Sequence, residues 1–341
     1  MSVTIREIAR TLGLSESTVS RALTGKATLK TSTIERVKKT AEELGYVPNL
    51  MARGLAARRS GIIGMAVPTL EYPHGEFYSR VLHGVEQTVT RLGYHLLYFP
   101  YRNGTASTIP YQSFLDGILL FGPLSNEETS SAVLEKIHIP VVILDDNLPD
   151  YPSVFSQNRE GASLLARYLL SLGHRQFLFI GGPENHPTVQ QREKGFRETL
   201  RKECSDPTRI ESLYVDWRED HHAGRRAMRK ILQSGLDELT AVVGANDMLA
   251  IGALLELREN GISVPDRVSV AGFDDSLACE IVSPSLTSVR QAGEDMGEVA
   301  VELLHNFITE EITNSREKVS TQTRLITRQS TKRRSLDNPP S

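Results

Sequence analysis

Apolar residues recur at helical spacing through the opening of the chain, then give way to short apolar runs alternating with longer helical stretches. Ile5, Ile8, Ala9 and Leu12 form one stripe that stops at Gly13, and Thr4 with Glu7 has the spacing of a capping box. Ser15 is placed to cap a second helix. Val19, Ala22 and Leu23 line one side of it, and Glu16, Ser17, Ser20 and Arg21 line the other. A third helix is predicted after Thr31 or Ser32, with Ser32 and Glu35 as its capping box and Ile34, Val37, Ala41 and Leu44 as its buried stripe. Three small helices around one core make an all-α head.

From Ile62 onward the period changes. Ile62 to Val67, Tyr94 to Phe99, Ile118 to Phe121, Val141 to Leu144, Phe177 to Ile180, Ala241 to Gly244 and Val268 to Gly272 are predicted as buried strands. Phe77 to Leu92, Arg159 to Leu172, Gln190 to Leu200, His221 to Gln233 and Asp247 to Asn260 are predicted as helices between them. Such alternation implies parallel, doubly wound sheets covered on both faces, with ligands beyond the carboxyl ends of the strands. The units are too many for one small sheet, so two lobes with a cleft are expected. Between Pro100 and Pro110 the chain is short of helix formers, and an irregular or truncated crossover is expected there.

At 341 residues the chain has room for two or three domains. No apolar stretch is long enough to span a membrane and the polar opening is not a secretion signal, so a cytoplasmic, nucleoid-associated protein without membrane contact is expected. Cys204 and Cys279 are too few and too isolated for a disulfide framework or a thiolate metal site. His221 and His222 are adjacent, hence predicted to point to different sides, and no carboxylate or thiol pattern completes a metal site around them. Charge is uneven. Residues 1–60 carry eleven Lys and Arg against five Glu, a net +6, whereas the whole chain is −3. A basic head on an acidic body concentrates phosphate attraction at one end.

The polar side of the second helix has the residue types that read base edges. Arg21 pairs with guanine, Glu16 accepts from cytosine, and Ser17 suits either role. Thr4, Ser15, Thr18, Ser20, Thr33 and Tyr46 would hold the unit on phosphates. The motifs Thr4-x-x-Glu7-Ile8-Ala9, Ser15-x-x-Thr18-Val19-Ser20-Arg21-Ala22-Leu23 and Gly45-Tyr46-x-Pro48-Asn49-x-x-Ala52-Arg53-x-Leu55 together resemble the head of the lactose-repressor (LacI/GalR) family of bacterial transcription regulators. The resemblance implies a helix-turn-helix over residues 1–48 and a hinge helix over 49–60. Asn49, Ala52, Arg53 and Leu55 of the hinge would enter the minor groove, with Leu55 as a wedge between base pairs. A helix from Asn49 to Arg58 is shorter than the roughly 12 residues an isolated helix needs, and Gly54 weakens it further, so a second copy and DNA are needed to hold it.

The resemblance continues through Ile62-Ile63-Gly64, Leu82-x-Gly84-x-Glu86, Asp116-Gly117-Ile118, Leu172-Gly173-His174, Gly181-Gly182-Pro183, Ala245-Asn246-Asp247 and Gly272-Phe273-Asp274-Asp275. It implies a two-lobed, type I periplasmic-binding-protein-like core over 61–330, with one lobe at 61–157 and 289–316 and the other at 158–288 and 317–330. Residues 331–341 would be a flexible tail, with no leucine heptad to build a tetramer, so a homodimer on palindromic operator DNA is implied. Carried over by motif, the effector-binding residues are Arg192, Asn246, Asp274 and Trp217, with Asp145, Phe155, Phe121 and Phe77 beside them. Carboxylate, carboxamide and guanidinium groups pair with hydroxyls, and an indole covers a sugar ring, so a small sugar or sugar derivative is the implied effector. Each also has a plainer role: Asn246 and Asp274 as helix caps, Arg192 as an ion-pair partner, Trp217 as a core anchor.

Neither a catalytic nucleophile elbow, a phosphate-binding loop nor a dinucleotide fingerprint is present, and no cofactor is implied, which speaks against an enzyme. A corepressor-dependent regulator and a sugar receptor without a transcriptional role are the alternatives. A receptor would have no use for the head.

Overall fold

The computed structural model describes residues 3–24, 29–46, 59–68, 75–101, 112–122, 134–204, 208–216, 220–235, 238–310, 312 and 315–334. The chain divides into two compact units, Met1–Ser60 and Gly61–Ser341.

The first unit has three helices, α1 (Ile5–Leu12), α2 (Glu16–Thr24) and α3 (Thr31–Glu43). Their stripes meet in a small core of Ile8, Ala9, Val19, Ala22, Val37 and Ala41, sealed by Ile5, Leu12, Leu14, Leu23, Ile34 and Tyr46. The capping box at Thr4 and Glu7 forms in both directions, and Gly13 ends α1 at φ 65°, a left-handed conformation that glycine adopts without strain. Ser15 Oγ accepts the Thr18 N–H at 3.1 Å, as a cap should. The expected box at Ser32 and Glu35 does not form. The helix begins at Thr31, after Lys30, so Ser32 already lies inside its first turn and cannot act as the cap.

The second unit carries two six-stranded sheets. The first contains β1 (Ile62–Pro68), β2 (His95–Tyr101), β3 (Gly117–Phe121), β4 (Val141–Leu144), β5 (Ser153–Ser156) and β11 (Lys318–Thr321), in the order β11-β5-β4-β3-β1-β2. The second contains β6 (Gln176–Gly181), β7 (Arg209–Tyr214), β8 (Ala241–Gly244), β9 (Ser269–Asp274), β10 (Thr287–Gln291) and β12 (Thr323–Ile326), in the order β12-β10-β9-β8-β6-β7. All pairings are parallel except β10 with β12. Each order reverses beside its first strand, between β1 and β3 and between β6 and β8, which is where a doubly wound sheet opens a crevice for a ligand.

Helices α4 (Glu76–Arg91) and α10 (Gly293–Thr309) share a core with the first sheet built from Met65, Val81, Val85, Met296, Ala300 and Leu304. In the second lobe α5 (Asn158–Ser171) packs on α6 (Pro187–Glu203), and α7 (His221–Ser234) packs on α8 (Asp247–Glu259). Every residue of β8 is buried, as a strand covered on both faces requires. The connection before β3 contains only a 3-10 turn, Gln112–Phe114, among its described residues; the rest of the expected irregular crossover, 102–111, lies outside them.

The lobe boundaries differ from those expected at both return crossings. All of Thr287–Gln291 belongs to the second sheet and all of Lys318–Thr321 to the first, so the chain crosses at Gln157, Ala292 and Gln322. Strand pairing sets this, because β10 is needed whole to cover the edge of β9. Residues 331–334 of the expected flexible tail are packed on the second lobe, and 335–341 lie outside the described residues. Thr331 is buried and its hydroxyl meets those of Tyr168 and Thr287 at 3.0 and 2.8 Å, while the Arg334 N–H reaches the Leu172 carbonyl at 2.8 Å. A final short helix, α9 (Ala278–Ile281), follows β9.

Candidate functional site

In the head, packing of Val19 and Ala22 into the core turns Glu16, Ser17 and Arg21 outward, where all three are exposed. Glu16 accepts from Arg6 Nε at 3.0 Å, and Arg21 Nε reaches back to the Ser17 carbonyl at 3.3 Å. Ser15, Ser17 and Thr18 join hydroxyls at the helix start, at 3.0 and 2.8 Å from Ser15. Thr4 is exposed beside α1, whereas Ser20, Thr33 and Tyr46 are half-buried. Asn49, Ala52, Arg53 and Leu55 lie outside the described residues.

The second cluster begins with Arg192. Pro187 at the first turn of α6 starts that helix, and Arg192 follows one turn on, 5 % exposed. Gly195 lies on the same side; a Cβ there would strike the backbone of Arg159, so its absence lets α6 approach the start of α5. Arg192 Nε thereby donates to Asn158 Oδ1 at 2.8 Å, and Nη1 donates to the Ala245 carbonyl at 2.6 Å. The guanidinium lies over the ring of Phe273, 3.8 Å from its centroid, and Nη1 faces Asp274 Oδ1 at 3.4 Å. A buried cation is held here mainly by neutral groups.

Two carboxylates face this cation from opposite lobes, each at the carboxyl end of a strand. Asp145 follows β4 at φ 59° and Asp274 ends β9 at φ 115°, both in the left-handed region. Strained backbone at non-glycine residues is concentrated at binding sites. Burial pushes the Asp145 carboxyl up to about 7, with Arg192 opposing and Asp146 adding to the rise. Burial also pushes Asp274 up to about 7; Arg192 and a 2.6 Å hydrogen bond from Gln291 Nε2 oppose it, and Asp247 and Asp145 reinforce it. Asp145 Oδ1 and Gln291 Oε1 are buried with no hydrogen-bond partner among the described residues. His186 is held down to about 4 by burial and by Arg192, so it stays neutral.

The loop after β9 ties this cluster to its surroundings residue by residue. Asp275 is buried; its carboxylate takes Arg290 Nε at 2.5 Å and Arg328 Nη1 at 2.6 Å, and its carbonyl takes Arg80 Nη2 of α4, in the other lobe, at 2.7 Å. The Ser276 N–H goes to Asp247 Oδ2 at 2.7 Å, and the Leu277 N–H goes to Glu76, also on α4. Asp247, 1 % exposed, further accepts from Ser288 Oγ at 2.5 Å.

Of the expected effector residues, Arg192, Asp274 and Asp145 come together. Asn246 caps α8, its Oδ1 taking the Leu249 N–H at 2.8 Å, which is its plainer role. Phe121 meets Tyr78 edge-on at 5.1 Å, and Phe77 packs half-buried on the first-lobe core. Phe155 lines a separate cavity of about 430 Å³ that touches the cluster through Asn158. Trp217 lies outside the described residues. Asn158, Phe273 and Gln291 are not among the effector residues expected from the sequence; Asn158 sits just after the first crossing, where the sequence places it, and Gln291 just before a return crossing that lies later than expected. His221 and His222 do not diverge as expected: at the first turn of α7 their rings lie 4.1 Å apart, tilted by 34°. Among the described residues no group of three His, Cys, Asp or Glu is arranged to hold a metal, and no helix is long and apolar enough to cross a membrane.

Comparison with known proteins gives the same division. A family profile described as bacterial regulatory proteins, lacI family, matches residues 4–49, and one described as a periplasmic binding protein-like domain matches residues 166–331. Catabolite control protein A of Priestia megaterium is 30% identical over 340 residues, 97% of this chain and 100% of that protein. The HTH-type transcriptional regulator DegA of Bacillus subtilis is 30% identical over 307 residues, 87% of this chain and 89% of that protein. The lac repressor dimer bound to operator and the anti-inducer ONPF superimposes with a TM-score of 0.85 at 24% identity, covering 97% of this chain and 100% of that one. The transcriptional regulator CelR in complex with cellobiose does so with a TM-score of 0.70 at 27% identity, covering 96% and 99%.

Proposed function

This chain belongs to the lacI family of bacterial regulatory proteins, and we propose that it is a cytoplasmic, dimeric repressor whose grip on operator DNA is released by a small sugar or sugar derivative. The observation that carries the DNA half is the exposed row Glu16, Ser17 and Arg21 on a helix whose opposite side is locked into the head core. These groups read base edges in a major groove, while Thr4, Ser15, Thr18, Ser20, Thr33 and Tyr46 hold phosphates. Asn49, Ala52, Arg53 and Leu55 act as the minor-groove hinge. Each head is too small to bind tightly alone, so two copies read a palindrome of roughly 14 to 20 base pairs.

The effector half rests on Arg192, Asp145 and Asp274, drawn from two lobes onto one cleft; Asn246, Trp217, Phe155, Phe121 and Phe77 join the proposed effector residues on the sequence motifs alone. Cellobiose occupies the relative CelR, which makes it a natural first ligand to try. The chain binds and regulates in this reading, in keeping with its relatives catabolite control protein A and the transcriptional regulator DegA.

Selection of duplexes from a random pool, followed by gel shift with and without candidate sugars, tests both halves. Enrichment of a palindrome bound by dimers, with affinity falling steeply as salt rises, is the expected result. Sequence-independent binding, or tight binding of single half-sites by monomers, would rule the proposal out. An effector that tightens the complex would establish corepression instead of induction.

A further inference from the structure

A second cavity lies beside the lobe crossings, apart from the cleft. Its volume of about 430 Å³ falls within the range of small-molecule sites. Phe155 and Ser156 of β5 and Ser320 of β11 line it from the first sheet; Asn158 of α5 and Thr199 of α6 line it from the second lobe. Asn158 stands between the two sites, its Oδ1 accepting from Arg192 on the cleft side.

The inner wall of this cavity has hydrogen-bond donors to spare. Helix α5 starts here without a side-chain cap, because Gln157, in the capping position, sends its Nε2 to Ser320 Oγ at 3.1 Å. Among the described residues nothing accepts the N–H groups of Asn158, Arg159 and Glu160. Ser156, just before them, is 1 % exposed, and its Oγ is buried with no partner. The neighbouring side-chain donors are already used. Ser163 Oγ donates to the Arg159 carbonyl at 2.9 Å, Thr199 Oγ to the Gly195 carbonyl at 2.8 Å, and Asn158 Nδ2 to the Ser156 carbonyl at 3.3 Å. A group rich in acceptors is what this wall lacks, and the positive end of the helix dipole favours an anion.

The rim decides between anions. Arg159 pairs with Glu198, and Arg167 pairs with Glu160 at 3.2 Å and Glu203 at 2.7 Å. Lys202 also lines the cavity and makes no ion pair among the described residues. Three cations thus face three carboxylates, and their charges cancel. A phosphate dianion meets those carboxylates with no net positive charge to offset it, whereas a single carboxylate is matched by the helix start and Lys202.

We propose that this cavity binds a small organic monocarboxylate, held by the first-turn N–H groups of α5 and the Ser156 hydroxyl, with Lys202 as the counter-charge at the rim. The occupant touches both lobes beside the crossing at Gln157, so it biases how far they close, whatever fills the cleft.

The test is amide-resolved NMR on the deuterated full-length protein, titrated separately with acetate, lactate, gluconate and inorganic phosphate, with sodium chloride at equal ionic strength as the blank. At least one carboxylate should shift the Arg159 and Glu160 amides saturably, and phosphate should bind about tenfold more weakly. Lys202→Gln and Ser156→Ala should each weaken that carboxylate by about three- to tenfold, with the β8 amides unmoved. Lys202 is exposed, so its variant keeps the fold even if loss of the buried Ser156 hydroxyl does not. No saturable shift of these amides with any of the three carboxylates, or unchanged affinity in a folded variant, overturns the proposal. Phosphate binding as tightly as the best carboxylate overturns the assignment to carboxylates.

Discussion

Arg80, on the first lobe, gives a 2.7 Å hydrogen bond to the backbone carbonyl of Asp275, on the second, immediately beyond the cleft residue Asp274. Glu76, one turn earlier on α4, pairs with Arg80 at 2.5 Å and accepts the Leu277 N–H. The loop that presents Asp274 is therefore also the loop by which the lobes touch. A ligand that moves Asp274 must move this seam, which gives the cleft a mechanical route to the orientation of the lobes.

Replacing Arg80 with Ala and Glu76 with Gln should loosen the seam without unfolding either lobe. Both side chains are partly exposed, so each contact is worth about 1 kcal/mol or less. Hydrogen exchange at the Leu277 amide should accelerate several-fold, with the amides of β8 and β9 unchanged. Equal protection of Leu277 in the variant and the parent would show that the seam is not held by these two residues.

Acidity in the cleft has a definite sign. Asp145 and Asp274 are held up to about 7 in the folded chain, against about 4 for an unfolded aspartate. A raised carboxyl contributes stability that is complete below about pH 4 and is lost as pH rises through 7. His174 and His186, both held down to about 4 by burial, act in the opposite sense and cost stability as pH falls below about 6.5. The two slopes are separated by comparing the parent with Asp145→Asn/Asp274→Asn, which removes only the first. Between pH 5 and 8 the ligand-free parent should lose melting temperature relative to the variant. A difference that stays flat across that range would mean that neither carboxyl is protonated in the fold.

Much of this arrangement is legible in the sequence, and what is not has a physical cause. The β4 and β8 strands are wholly buried and read as continuous apolar runs, so Val141 to Leu144 and Ala241 to Gly244 stand out to the residue. Strands β7, β11 and β12 form sheet edges with exposed Arg, Lys and Glu, which leaves no apolar run to find. Helix α10 is hidden in the sequence for another reason. Met296, Ala300, Leu303, Leu304, Phe307 and Ile308 keep the helical period, but Gly293 and Gly297 in its opening turns argue against a helix on local propensity alone. With α10 and β10 hidden, the sequence also gives no sign that the chain leaves the second lobe only after Gln291.

Those glycines serve helix packing. A Cβ on Gly297 would collide with the backbone at Val81 and Val85, and one on Gly84 with the backbone of Glu294, so α4 and α10 meet through glycine from both sides. Gly84→Ala gains up to about 1 kcal/mol of helix propensity. It must also push two backbones apart, which costs about 1 to 3 kcal/mol. Urea unfolding should show net destabilisation, together with faster exchange in α4 and α10. A neutral or stabilising Gly84→Ala would mean that the two helices do not pack this closely.

In the proposed reading, Arg21 and Thr33 divide the work of the head between reading and holding. Arg21 is exposed on α2, where its Nε reaches the Ser17 carbonyl at 3.3 Å, and it stands on the helix side proposed to meet a guanine edge. Thr33 is half-buried in the first turn of α3, and the proposed role of its hydroxyl is to meet a phosphate, a contact that carries no base information. Arg21→Ala should therefore cost about 1 to 3 kcal/mol on the preferred duplex and relax preference at one base pair per half-site, whereas Thr33→Ala should weaken all duplexes alike. Arg6→Ala adds a control, because it removes the 3.0 Å partner that holds Glu16 in place. If Glu16 reads a base, that variant should alter preference at a second position distinct from the one lost with Arg21. The measurement is duplex selection on all three variants at fixed salt, and an Arg21→Ala head that enriches the parental sequence unchanged would remove Arg21 from the reading face.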